Sequence, residues 1–312
     1  MLERKIHISD SILQEISGCG ILYSDFPMRN VTTFRTGGAA DYLLEPRDEA
    51  SAVTALSLLR NACAEFHIIG GGSNLLVSDY GLRGVVIRLS DDNAGIKVQD
   101  GLIYASSSVS KERFISEAIE KGFGGVEFMA GIPGSVGGGI YMNAGTYMGC
   151  FSDILRRIKV TDYQGNISEI SVTCESSGYR HMDIPENSMI LGGIFSLPEA
   201  DNPGKERKRV DDIIADRWNK HPMEFPSAGS VFKNPEGHSS WKLINDSGLK
   251  GFAIGGAMVS EKHTNFIINT GNALSSDIYR LVKHIQETVY KRFSVKLETE
   301  IRMLGEFHDN EQ

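Results

Sequence analysis

"AGIPGSVGGGIYMNAG", residues 130–145, places six glycines in sixteen positions. Each glycine gives up a side chain and loses extra conformational entropy on folding. A run of them therefore requires left-handed backbone, or something that passes very close to the chain. A second loop, "GGGSN" at 70–74, follows the short apolar run "HII" and has the same character. Adjacent backbone N–H groups without neighbouring Cβ atoms form an anion-binding concavity, and Ser73, Asn74 and Ser135 add side-chain donors. Together the two loops carry the donors to grip both halves of a pyrophosphate without a lysine. Neither is a P-loop, because no Gly-Lys-Ser/Thr follows, and neither is a GxGxxG turn opening a βαβ unit. The competing explanation is tight packing of each loop against another element. That suffices for one isolated triple glycine and less well for two long loops that each follow an apolar segment.

The surrounding chain has 312 residues, 41% hydrophobic and 23% charged, too long for one small core and suited to two or three packed units. A net charge of -8 argues against a nucleic-acid partner, so an anionic ligand must meet locally arranged donors. Cys19, Cys63, Cys150 and Cys174 lie far apart with no CxxC pair, which speaks against a disulfide framework or a metal site and for a reducing compartment. The N-terminal "MLERKIHISDSILQEI" has no apolar core of a signal peptide. No segment approaches the roughly 18 uncharged apolar residues that a membrane span needs. The expectation is a soluble cytoplasmic protein without membrane insertion.

Outward from the loops, "DEASAVTALSLLRNACAEF" predicts a helix capped by Asp48 with Val53, Leu56 and Leu59 inward. "GVVIRLS" and "IKVQDGLIYASSS" predict strands, the latter folded at Asp100-Gly101. "SKERFISEAIEKGFGG" predicts a helix burying Phe114, Ile115, Ala118 and Ile119 and stopping at Gly122. "ILRRIKVTDYQGNISEISV" predicts a hairpin around Gly165-Asn166, and "MILGGIFSLP" a strand. The Asn-Pro-Gly turn near Pro203, ahead of a charged helix over 205–220, marks a domain boundary. Beyond it come a helix around Trp241 and Leu243 and an amphipathic helix with Ile278, Leu281, Val282, Ile285, Val289 and Phe293 inward. The alternating "VKLETEIRML" then predicts a half-buried strand. Short strands mixed with helices, without regular βαβ alternation, indicate an α+β fold.

Four stretches carry a resemblance: "TTFRTGGAADYLLEP", "IIGGGSNLLVSDYGLRGVVIRL", "FMAGIPGSVGGGIYMNAGTYMG" and "PSAGSVFKNP", followed by "LETEIRMLG". In this order, from about Asn30 to Gly305, they resemble the UDP-N-acetylenolpyruvoylglucosamine reductase family. The resemblance implies a two-lobed FAD-binding domain of the vanillyl-alcohol-oxidase-like type, with lobes at 1–92 and 93–203. It also implies a smaller α+β substrate-binding domain at 204–305, leaving a tail at 306–312. FAD would lie along Gly70, Gly71, Gly72, Ser73, Asn74 and Leu75, and along Gly131, Ile132, Pro133, Gly134, Ser135, Gly138 and Gly145. No histidine stands in 36–40 or 70–76 to attach it, so the expected flavin is noncovalent.

The implied reaction belongs to peptidoglycan precursor synthesis and has two stages. NADPH gives hydride to FAD and leaves, and the enolpyruvyl sugar nucleotide takes the same site. Hydride then passes from flavin N5 to C3 of the enol ether, and C2 is protonated. Ser230 aligns with the family's proton donor, although a serine in "AGSVF" is otherwise an ordinary turn residue. Arg180 in "SSGYRHM" aligns with the arginine near the substrate carboxylate, where relatives have a serine rather than Met182 two positions on. Glu300 would assist C2 protonation; strand alternation alone puts it on a solvated face with Lys296, Glu298 and Arg302. Tyr179, Lys233 and Asn234 are the expected substrate contacts, and His263 and Asn265 serve either the pocket or buried hydrogen bonding. The short interval from Arg180 to Ser230 matches the short-loop type of the family. Two other readings stand beside this one: another FAD-linked oxidase on the same fold, and a nucleotide-sugar-binding regulator without chemistry.

Overall fold

The computed structural model describes residues 8–89 and 95–308. The expected lobe boundary at 92/93 and the end of the expected tail, 309–312, lie outside them. The chain divides into two compact units. One comprises residues 1–24, 42–71 and 84–215, the other 25–41, 72–83 and 216–312. The C-terminal division falls between Ala215 and Asp216, inside the helix Pro203–Lys220 rather than at the turn before it.

The first unit holds two cores. In one, the helix Glu49–Asn61 is capped by Asp48, whose carboxylate accepts from Ser51 N at 2.7 Å. Its buried stripe is Ala52, Ala55, Leu56 and Leu59, with Val53 half-buried. These residues pack with Leu44, Val85, Ile87, Met189 and Leu191. The other core lies against a five-stranded antiparallel sheet, ordered Ile167–Ser171, Leu155–Asp162, Ser188–Phe195, Leu102–Ser106 and Ile96–Gln99. Both expected hairpins are present. Asp100 and Gly101 take φ of 51° and 73°, the left-handed pair that a two-residue hairpin between Gln99 and Leu102 demands. At the other, the Asp162 carboxylate accepts from Gln164 N and Asn166 N and organises the turn itself. The helix Lys111–Glu120 buries Phe114, Ile115, Ala118 and Ile119 and ends ahead of Gly122 at φ 84°. Phe114, Phe151 and Phe195 are fully buried beside it, each contributing about 1.5–3 kcal/mol by removal from water.

The second unit has its own core around the helix Ser275–Phe293. Ile278, Leu281, Val282, Ile285 and Val289 face inward, whereas Phe293 is exposed at the helix end. A three-stranded sheet, Ala253–Ile254, Ala257–Val259 and Ile267–Asn269, and the helix Ser240–Asp246 complete it. The expected strand over 295–304 is shorter than the alternation suggests. Only Arg302–Leu304 is ladder-paired, parallel to Leu75–Val77. Residues 298–300 instead bond to the short segment 231–233, with Asn74 adding a bond at Glu300 O. Among the described residues no helix is long and apolar enough to cross a membrane.

Candidate active site

The two glycine loops meet inside the first unit. A Cβ on Gly70 would sit 2.7 Å from Ser135 Oγ, and one on Gly71 would sit 2.8 Å from Gly134 Cα. Within the second run the glycines divide by role. Gly137 and Gly139 serve packing, because a Cβ there would lie 2.6 Å from Ser107 Cβ and 2.3 Å from Phe151 Cζ. Gly138 lies in the short helix Val136–Tyr141, where its Cβ would meet only Ser135 Oγ at an ordinary 3.6 Å. Nothing in the protein requires a glycine at that position. Ser135 caps this helix, its hydroxyl accepting from Gly138 N at 3.3 Å.

Among the described residues the N–H groups of Gly71 and Gly134 make no hydrogen bond within the chain, and neither do those of Gly72 and Asn74. Within the first unit, the unpaired donors of Gly71 and Gly134 lie on Cβ-free backbone, an arrangement that fits a phosphate group of a dinucleotide such as FAD. In the second unit, Gly72 is packed so closely that a Cβ would overlap Val31 O at 1.8 Å. Asn74 is committed to the same unit: its Nδ2 donates to Glu300 O at 3.0 Å, and its carbonyl accepts from Arg302 N at 2.9 Å.

The end of the glycine run also holds Arg180. Ser177–Gly178 pairs with His181–Met182, leaving Tyr179 and Arg180 as a two-residue turn. Arg180 occupies the left-handed region at φ 57°, which costs a non-glycine residue of order 1 kcal/mol. Its Nη2 donates to Gly145 O at 3.1 Å, and its guanidinium lies over the Tyr179 ring, 5.1 Å from the centroid. Asn143 anchors the same hairpin, donating from Nδ2 to Gly178 O and accepting Ser152 N at Oδ1, both at 2.9 Å. Tyr179 is exposed, and His181 pairs with Asp183 at 2.7 Å. This hairpin therefore presents a guanidinium whose orientation is set from the glycine run.

In the second unit, Ser230 and Glu300 belong to one backbone network. Ser230 bridges Phe266, and Phe232 bridges Thr299. Glu300 N donates to Val231 O at 2.7 Å, and Lys233 N to Glu298 O at 2.9 Å. The Ser230 hydroxyl is half-buried and makes no hydrogen bond among the described residues. Glu300 is half-buried, unlike Lys296, Glu298 and Arg302, which are all exposed. The alternation that groups these four on one solvated face thus fails at Glu300. Lys233 pairs with Glu298 at 3.5 Å, and Asn234 accepts Ser240 N at 3.0 Å, steadying the entry to the helix Ser240–Asp246.

Asn143 and Arg217 carry little signal in the sequence, while Asn265, expected either at the pocket or in buried hydrogen bonding, takes a buried bonding role. Asn143 looks like a turn residue, yet it and Asn265 are both buried, each amide bonded at its oxygen and at its nitrogen. Arg217 reads as one more charge on a polar helix. Its Nε is buried without a partner among the described residues, and burial holds its pKa below the usual arginine value. His263 packs edge-on against Phe266 and tilted against His221 and Trp241. Burial first, then the neighbouring His221, depresses its pKa to about 4, so it is a neutral aromatic packing residue near pH 7.

The family model for an FAD binding domain matches residues 40–171. That for the UDP-N-acetylenolpyruvoylglucosamine reductase C-terminal domain matches residues 221–304. UDP-N-acetylenolpyruvoylglucosamine reductase of Clostridium botulinum (strain Hall) is 42% identical over 297 residues, covering 94% of this chain and 95% of the relative. The enzyme of the same description from Agathobacter rectalis is 40% identical over 312 residues, covering 95% and 98%. Among solved structures, the reductase of Thermus caldophilus superposes with a TM-score of 0.75 at 30% identity, over 91% of this chain and 98% of that one. The α+β architecture, an FAD-binding domain with a smaller substrate-binding domain, is that of this enzyme. An oxidoreductase with an FAD-binding domain, the chain belongs to the UDP-N-acetylenolpyruvoylglucosamine reductase family.

Proposed function

We propose that the chain reduces the enolpyruvyl group of UDP-N-acetylenolpyruvoylglucosamine to the lactyl ether of UDP-N-acetylmuramate, with NADPH as hydride donor. The observation that carries this reading is the Ser230 hydroxyl, unengaged and half-buried, in one network with the half-buried Glu300. A pure binding protein has no use for that pair. When bound, FAD supplies the hydride chemistry, accepting hydride from NADPH and delivering it to C3 of the substrate.

The chain's residues do the rest. Gly70, Gly71, Gly72, Ser73, Asn74 and Leu75, together with Gly131, Ile132, Pro133, Gly134, Ser135, Gly138 and Gly145, hold FAD noncovalently. Arg180 binds the substrate carboxylate while negative charge spreads onto it from C2. Ser230 holds the proton that C2 takes. A neutral hydroxyl is a weak acid, so its acceptor must be strongly basic, which an enolate carbon is. Glu300 assists that protonation, and Tyr179, Lys233 and Asn234 contact the sugar nucleotide. NADPH and the substrate use one site in turn, and residues 204–305 serve as the substrate domain. Both small molecules place the reaction in the cytoplasm.

Anaerobic mixing tests this. NADPH is expected to bleach the flavin band of the purified holoenzyme, and the enolpyruvyl sugar nucleotide is expected to restore it. Flavin that stays reduced after substrate is added would overturn the proposal.

A further inference from the structure

Phe232 bridges Thr299 through its neighbours' bonds, whereas its own N–H and carbonyl are taken by a side chain. Asn265, 5% exposed, donates from Nδ2 to Phe232 O at 2.8 Å, and its Oδ1 accepts Phe232 N at 3.0 Å. One amide has one acceptor oxygen and one donor NH₂, so it reproduces the paired contact that a strand backbone makes. The Asn265 main chain adds a third contact, its carbonyl accepting Val231 N at 2.8 Å. Ser230 bridges the next residue, Phe266. On the opposite partner, Glu300 N and Glu298 O take Val231 O and Lys233 N. Three backbone bonds flanking Phe232 thus share a register with the two that the Asn265 side chain makes to it. Phe232 is 1% exposed, so its polar groups have no water to turn to if the amide is lost.

We propose that Asn265 is a positioning residue for the Ser230 hydroxyl. It acts through Phe232, to which both its amide oxygen and its amide nitrogen are bonded. The proposal rests on the reading of Ser230 as proton donor. A displacement of roughly 1 Å at a reacting group lowers a rate by up to about 100-fold. The effect should fall on the step that needs the proton and spare the step that does not.

The test uses holoenzyme of Asn265→Leu, which removes both bonds, and of the near-isosteric Asn265→Asp, which removes the donor. Both are expected to slow flavin reoxidation by the enolpyruvyl substrate about 10- to 100-fold. Flavin reduction by NADPH should stay within about twofold of the parent. Independently of turnover, hydrogen exchange should quicken in a peptide covering 228–234 and stay unchanged in one covering 130–145. Adding Ser230→Ala to either variant should slow reoxidation no further than Ser230→Ala does alone, because misplacing an absent hydroxyl has no consequence.

Parent-like reoxidation in both Asn265 variants would overturn the proposal, as would additive losses in the double variants. Equal slowing of both half-reactions with exchange rising throughout, or failure of both variants to assemble holoenzyme, would show a role in folding alone and overturn it too. A Ser230→Ala enzyme that reoxidises at the parent rate would instead overturn the reading of Ser230 itself.

Discussion

Around residues 134–139 of the first unit, the backbone is shaped by side chains that are missing. Adding one carbon at Gly71 or Gly139 drives it to 2.8 Å from Gly134 Cα or 2.3 Å from Phe151 Cζ. Around residues 230–233 of the second unit the side chains are present, and the backbone is held by bonds to partners distant in sequence, such as Asn265 and Glu300. The first device works by exclusion and is a property of each position. The second works by pairing and is a property of two positions at once. A cradle for a flat, charged cofactor needs room and unpaired N–H groups. A proton donor needs a hydroxyl held still against a moving charge.

The largest expected effect comes from breaking the second device at its centre. Ser230→Ala should slow flavin reoxidation by substrate by roughly 10²–10⁴-fold and leave reduction by NADPH intact; stopped-flow absorbance reads both. Breaking the first device at Gly71→Ala should push the loops apart, an overpacking of about 1–3 kcal/mol. FAD affinity by fluorescence titration is then expected to fall about 10- to 100-fold, with the second unit's residues untouched. Arg180→Lys should slow the same half-reaction as Ser230→Ala by about tenfold, because an ammonium cannot form a bidentate pair with a carboxylate. An unchanged rate would remove Arg180 from the chemistry.

The next pair sharpens the division within the run. Gly139→Ala should destabilise the fold by about 1–3 kcal/mol in denaturant melts. Gly138→Ala, in a helix with open space, should raise stability by about 0.5–1 kcal/mol while weakening FAD. Gly138→Ala without loss of FAD would mean that no cofactor approaches there.

The smallest effect concerns pH. His263 has a folded pKa of about 4 against an ordinary 6.5, so below pH 6.5 the unfolded chain binds a proton that the native protein refuses. Its contribution to stability is therefore complete above pH 6.5 and is lost progressively as pH falls toward 4. His263→Phe should flatten that part of the melting-temperature profile.

Periodicity and turn chemistry read well wherever a residue's own type decides the outcome. Asp48 caps its helix, Asp100-Gly101 turns its hairpin, and Phe114, Ile115, Ala118 and Ile119 face the core. Alternation over 295–304 reads poorly, because the segment divides its pairing between two separate stretches, 231–233 and 74–77, instead of one strand. Glu300 suffers from the same cause: its neighbours in the pattern are exposed and it is not. Asn143 and Arg217 leave no local trace, since their places exist only relative to Gly178 and to burial, and which of its two expected roles Asn265 takes is decided only by Phe232.

The sequence by itself pointed to an anionic ligand at two glycine loops, to an α+β fold and, through its motifs, to the family that carries these loops. Tertiary structure decided which glycines serve packing and which leave a surface open. It also decided that the glycine run orients Arg180, and that Ser230 and Glu300 share one network. Steric room and helical or strand period are local quantities, summed over near neighbours and written in residue types. A hydrogen-bond register between distant segments is not local, and it exists only once the chain has closed on itself.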